Sequence, residues 1–199
     1  MSLMNERKAH RGETLLKEEF LSGRNGTKGI EVFLASSNAK FECIMTSNAG
    51  VITVRLHGAL NEFAAPELDK LSATVPASSH VVIDWLNISV VNSLGAAAWI
   101  KFIKSFTKKH TVVFENCTPA VIGQINTVAS FLSRASVKSV LAPNVCESCD
   151  ESVLSRLEQN VDLPAPGQKA PLRPCPSCQK PMEMEEFEAR FFKFVSRAS

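Results

Sequence analysis

Residues 80–103 read HVVIDWLNISVVNSLGAAAWIKFI, and this stretch decides the fold. It opens on Val81-Val82-Ile83, a continuous apolar run of the kind found in strands buried on both faces. From Ser93 the period changes. Gly95, Trp99, Phe102, Ile103 and Phe106 fall on one helical face, and Lys101, Lys104 and Lys108 on the other. The lysines crowd the C-terminal half, where the helix dipole favours positive charge. The spacing predicts a strand, a loop and then a helix over 93–109.

The flanks extend the same alternation. Upstream, residues 41–45 and 51–56 enclose a turn at Ser47-Asn48-Ala49-Gly50 and read as a hairpin. Residues 64–75 place Ala64, Leu68, Leu71 and Val75 on one helical stripe, with Pro66 tolerated in the first turn. Downstream, residues 111–114 form a strand. Thr118-Pro119 then opens a helix with the stripe Val121, Ile122, Ile125, Val128, Ala129 and Leu132. Residues 137–141 give a last short strand. The order ββαβαβαβ predicts an α/β domain with a mixed sheet.

Residues 143–199 differ in composition. Cys146 and Cys149 form one CxxC pair, and Cys175 and Cys178 form a second. Between them the spacing predicts a helical stretch over 151–160, then a turn-rich linker of prolines and glycine. The gap between the pairs is somewhat longer than in common zinc ribbons, and this linker accounts for it. Four cysteines of this spacing, in a chain without an export signal, fit a structural zinc in a reducing cytosol better than disulfides. An all-cysteine set leaves no open position for a substrate, so one Zn²⁺ per chain with a stabilising role is expected. A redox pair would need a thioredoxin-like setting and no second copy. Cys43 and Cys117 lie in apolar runs and read as small core residues.

The stretch 80–103, together with Val54-Arg55-Leu56-His57-Gly58-Ala59-Leu60, resembles the STAS domain of anti-sigma-factor antagonists. The family pattern is an L-x-G-x-L strand, a V-I-D strand, and an acid-Ser-Ser/Thr-Gly turn opening a helix. The resemblance covers about residues 41–142. It implies a STAS-like mixed sheet with helices, extended by a small C-terminal zinc ribbon. It also places Ser93 at the phosphoacceptor position, with Val90, Val91, Asn92 and Leu94 framing a partner surface. The implied partner is an anti-sigma factor or histidine-kinase-like ATPase, released when the serine is phosphorylated. Asn92 stands where an acid commonly precedes the serine, Leu94 replaces a second Ser or Thr, and Asn61 stands where the family often has Asp. Apart from the resemblance, Ser93 also reads as a plain helix N-cap.

The chain thus divides into a polar leader (1–39, with a short amphipathic patch at 13–21), a STAS-like domain (40–142) and a zinc-ribbon extension (143–199). Its 199 residues are 45% hydrophobic and 21% charged, with a formal net charge of +2. These are globular values, without the field that a nucleic acid or membrane surface would require. Acidic residues flank the cysteine pairs and argue against phosphate binding. No apolar run is long enough to span a bilayer, residues 1–26 do not read as a signal peptide, and a cytoplasmic location is expected. Asp84, His57, His80 and His110 carry no catalytic pattern, and the lysine stripe reads as a solvated face. A non-enzymatic interaction module is therefore expected. A constitutive scaffold of the same fold and a nucleic-acid adaptor using the ribbon stand as alternatives.

Overall fold

The computed structural model describes residues 29–30 and 40–197. The elements in chain order are β1 (Gly29–Ile30), β2 (Glu42–Asn48), β3 (Val51–Leu60), α1 (Ala65–Thr74), β4 (His80–Val91), α2 (Ser93–Phe106) and β5 (Thr111–Glu115). They continue with α3 (Pro119–Thr127), β6 (Ser136–Val137), β7 (Ser139–Val145), β8 (Ser152–Glu158), β9 (Arg173–Pro174), β10 (Pro181–Met184) and α4 (Glu188–Phe191). Short 3-10 helices follow α3 at Ala129–Phe131 and α4 at Phe192–Arg197. The expected amphipathic patch at 13–21 lies outside the described residues.

The first sheet has the order β2-β3-β4-β5-β6. β2 and β3 form the expected antiparallel hairpin, and Ala49 and Gly50 both take positive φ, as a two-residue hairpin loop requires. The strands from β3 to β6 are parallel, so the fold is α/β with a mixed sheet. Each crossover moves to the next strand in the same direction, and right-handed connections of that kind collect α1, α2 and α3 on one face. Burial alternates accordingly. Val54, Leu56, Val81, Ile83, Trp85 and Phe114 are buried, whereas Thr53, Val82 and Val113 are half-exposed. The expectation that Val81-Val82-Ile83 is covered on both faces is therefore corrected: with all helices on one side, Val82 faces the less covered side.

The covered face holds an aromatic core. Trp85 and Trp99 meet edge to face at a centroid distance of 4.6 Å, with Phe114 and Phe131 packed around them. Trp99 also donates its indole N–H to the carbonyl of Phe131 at 2.9 Å. Phe102, Ile103 and Phe106 are buried, while Lys101, Lys104 and Lys108 are exposed, as the periodicity of α2 requires.

The second sheet has the order β1-β8-β7-β10-β9. It grows out of the first. Lys138 donates its backbone N–H to Phe114 O, Cys117 donates to Ser139 O, and Leu141 donates to Cys117 O. One extended stretch thus leaves the edge of the first sheet and becomes a central strand of the second, and position 143 falls inside β7. The helix expected over 151–160 is instead strand β8. Ser152–Glu158 satisfies either period, and the CxxC turn before it reverses the chain into antiparallel register with β7, from Val145↔Ser152 to Ser139↔Glu158. β1 pairs with β8, so part of the expected polar leader contributes a strand.

The C-terminal segment returns to the main core. Phe191, Phe192 and Phe194 are buried in the same apolar cluster as Trp85 and Val121. The side-chain amide of Asn126 in α3 donates to the carbonyls of Arg190 and Phe191.

Candidate metal centre

The two CxxC segments fold into equivalent turns. Cys146 follows β7 and Cys149 precedes β8; Cys175 follows β9 and Cys178 precedes β10. In the first turn Cys146 donates its backbone N–H to Glu151 O at 2.8 Å and its carbonyl accepts from Asp150 N at 2.8 Å. In the second, Cys175 donates to Lys180 O at 2.7 Å and accepts from Gln179 N at 2.9 Å. The residue after each second cysteine takes positive φ, 56° at Asp150 and 62° at Gln179. Each turn therefore closes an antiparallel hairpin, and the pairing of β10 with β7 brings the two turns together. Glu151 accepts a hydrogen bond from the Ser177 hydroxyl at 3.0 Å, which ties one turn to the other.

This arrangement sets the four sulfurs within 4.8 Å of one another. Cys146 and Cys178 stand 3.4 Å apart, and Cys149 stands 3.5 Å from both Cys175 and Cys178. A disulfide would need about 2.05 Å. A tetrahedral thiolate site with metal–sulfur bonds of about 2.3 Å has sulfurs about 3.8 Å apart, close to the spacing here. All four thiols are free, and the donor set suits a soft or borderline cation with every position filled by protein. The site can hold a metal ion.

Its surroundings fit that role. Cys146 and Cys175 are buried and share a small apolar core with Met182, Val153 and Cys178, separate from the main core. Cys149 is exposed. The backbone N–H of Ser148 and the neighbouring thiols hold the Cys146 thiol down to about 7. At Cys149 the backbone N–H of Glu151 favours the thiolate, but the contacts with Cys175, Cys178 and Cys146 outweigh it and push the thiol up to about 12. Among four crowded thiols the first proton leaves easily and a further one is held by the charge already formed. A cation removes that conflict by neutralising the group as a whole.

Cys43 and Cys117 are elsewhere. Burial pushes the Cys43 thiol up to about 12 and holds Cys117 well above its ordinary value, so both behave as core residues.

The residues expected to frame a partner surface lie at the start of α2. The N-cap is Asn92, whose side-chain oxygen accepts from Gly95 N at 2.8 Å. The reading of Ser93 as N-cap is corrected: an Asn side chain at 92 reaches the third helical N–H, and Ser93 becomes the first helical residue. Ser93 and Leu94 are exposed, and Val90 and Val91 are half-buried at the end of β4. Two residues missed by sequence reasoning stand nearby. The Asn92 side-chain amide donates to Glu62 at 2.8 Å, and this bond, with a backbone bond, holds the Glu62 carboxyl below its usual value. Phe63, next to Glu62, is 73% exposed. A bulky aromatic in a polar loop before Ala64-Ala65-Pro66 was the signal that could have found it.

Asp84 accepts from Leu86 N and from the Asn116 side chain, so it braces backbone and loop as a structural aspartate. Among the described residues no helix is long and apolar enough to cross a membrane. Compared with known proteins, the chain matches no family model and no curated protein.

Proposed function

We propose that this protein is a non-enzymatic regulatory interaction module, similar to STAS-domain anti-sigma-factor antagonists, whose second sheet is held by a structural zinc ion. The observation that carries the reading is the start of α2. Ser93 and Leu94 are exposed there on a helix already capped by Asn92, and exposed Phe63 follows Glu62, which is bonded to Asn92. The cap frees Ser93 from a structural duty, so its hydroxyl can be modified without loss of the helix. A phosphate at the first helical residue is favoured by the helix dipole and changes the surface offered to a partner. Leu94 and Phe63 supply the apolar contacts, and an anti-sigma factor or histidine-kinase-like ATPase is the class of partner that the resemblance implies.

Zinc is the proposed ion because four thiolates satisfy it fully and leave no coordination position open for chemistry. The exposed acids Glu183, Glu185 and Glu186 follow the second cysteine turn and disfavour a nucleic-acid role.

One observation favours constitutive binding. The Glu62 carboxylate, bonded to Asn92, already places negative charge beside the helix start and opposes a phosphate there. The two readings separate in a capture experiment from native extract. A switch requires Ser93→Asp to lose a partner that Ser93→Ala retains. Equal capture by both variants would remove the switch and leave the constitutive scaffold.

A further inference from the structure

The four clustered cysteines are not equivalent toward solvent. Cys146 and Cys175, the first cysteine of each turn, are fully buried and pack with Met182 of β10. Cys149, the second cysteine of its turn, is exposed, and Cys178, the second of the other turn, is half-buried. The centre therefore has a closed apolar floor and an open rim. Across that rim the sulfurs of Cys149 and Cys178 stand 3.5 Å apart. Close to both in the chain, the Ser177 hydroxyl donates to the Glu151 carboxylate at 3.0 Å, so the two turns are already tied together at the rim.

A thiolate that water reaches is the one that a dissolved oxidant reaches, and a second thiolate beside it turns the first product into a disulfide. We propose that Cys149 and Cys178 are a modification site for an oxidant of the hydroperoxide class, closing to a disulfide across the two turns with loss of the bound zinc. This rests on the four sulfurs holding that ion. The Cys149 thiolate attacks a peroxide oxygen, the O–O bond breaks, and Cys149 becomes a sulfenic acid as hydroxide departs. The Cys178 thiolate then attacks the Cys149 sulfur, the S–S bond forms, and the second oxygen leaves as hydroxide. The two sulfurs give up two electrons, the peroxide takes them, and two protons from solvent turn both hydroxides into water. Cys146 and Cys175 alone are too few to fill a tetrahedral site. Because the new bond joins one turn to the other, it takes over the link that holds β10 against β7. The chain beyond β10 carries Phe191, Phe192 and Phe194 into the main core, so oxidation discharges the metal while the second sheet and its anchor stay in place.

Zinc-loaded, reduced full-length protein treated with about one equivalent of hydrogen peroxide tests the proposal. Released zinc should rise in step with disulfide, about one ion per bond, and peptide mapping should join Cys149 to Cys178. A thiol reductant with added zinc should restore the metal. Backbone hydrogen exchange in β10 should stay slow in the oxidised protein and rise at least about tenfold in reduced protein stripped by a chelator. Any other cysteine pairing, sulfinic acid without a disulfide, or exchange in β10 as fast as in the stripped protein would each overturn the proposal. A chain that takes up no zinc would overturn the metal reading instead. The same peroxide mapping on the reduced, metal-free chain would then still decide whether Cys149 and Cys178 pair.

Discussion

Gly95 lies so close to Leu60 that a Cβ at position 95 would stand 2.1 Å from the Leu60 carbonyl oxygen. The contact is backbone against backbone, and the adjacent Asn92 N–H donates to the same oxygen at 3.1 Å. The start of α2 is therefore seated on the end of β3, and the candidate partner surface depends on that seat.

Gly95→Ala should consequently destabilise the protein by about 3 kcal/mol or more, at the upper end of overpacking costs, because neither backbone can yield without moving β3 or α2. Leu94→Ala, one residue away and 61% exposed, should change stability by less than about 0.5 kcal/mol. Urea unfolding of the two variants checks the pair. Similar losses at both positions would mean that α2 does not sit on Leu60.

Trp99→Ala should cost about 3–5 kcal/mol, since it empties the centre of the aromatic core and leaves the Phe131 carbonyl without its indole donor. Lys101→Ala, on the outer face of the same helix, should stay within about 0.5 kcal/mol. A loss below about 1 kcal/mol for Trp99→Ala would place the wrong face of α2 inward.

The helical periods of α1, α2 and α3 were legible because Leu68 and Leu71, Trp99 and Phe102, and Ile122 and Ile125 each repeat at helical spacing, and the hairpin was legible from Ser47-Asn48-Ala49-Gly50. The cysteine cluster was legible because two CxxC turns bring their own geometry. Residues 151–160 were misread because Val153, Leu154 and Leu157 fit a helix as well as a strand. Only pairing with β7, which no local pattern encodes, decides between them. Val82 was misread for a similar reason: a short apolar run does not reveal that every crossover helix lies on one face. The capping role of Asn92 over Ser93 depends on one side-chain bond to Gly95, and both residue types suit the position.

His110 supplies a pH dependence. It is buried against Phe106 at a ring distance of 4.3 Å, and its Nδ1 has no hydrogen-bond partner. Burial, and secondarily Lys109, holds it below its ordinary value, so the unfolded chain takes a proton more readily than the folded one. Stability is then full above the unfolded value of about 6.5 and falls as the pH drops through the folded value. His110→Phe should flatten that slope relative to wild type in denaturant midpoints taken between about pH 7.5 and 5.5. Parallel slopes for the two proteins would show that His110 does not contribute.

Loss of one cysteine ligand should act locally first. Cys175→Ser should speed backbone hydrogen exchange in β7, β8 and β10 more than in β3, β4 and β5, because the first sheet has the large aromatic core and the cysteine cluster has a small one of its own. Equal acceleration in both sheets would mean that the two unfold as one unit.

The role of the second sheet's two cysteine turns depends on the four sulfurs being ligands of one ion. Elemental analysis of freshly prepared, reduced full-length protein tests this directly. About one zinc per chain is expected, falling to a small fraction of that in Cys175→Ser. Reduced protein that carries no metal and takes up none when zinc is supplied would contradict it.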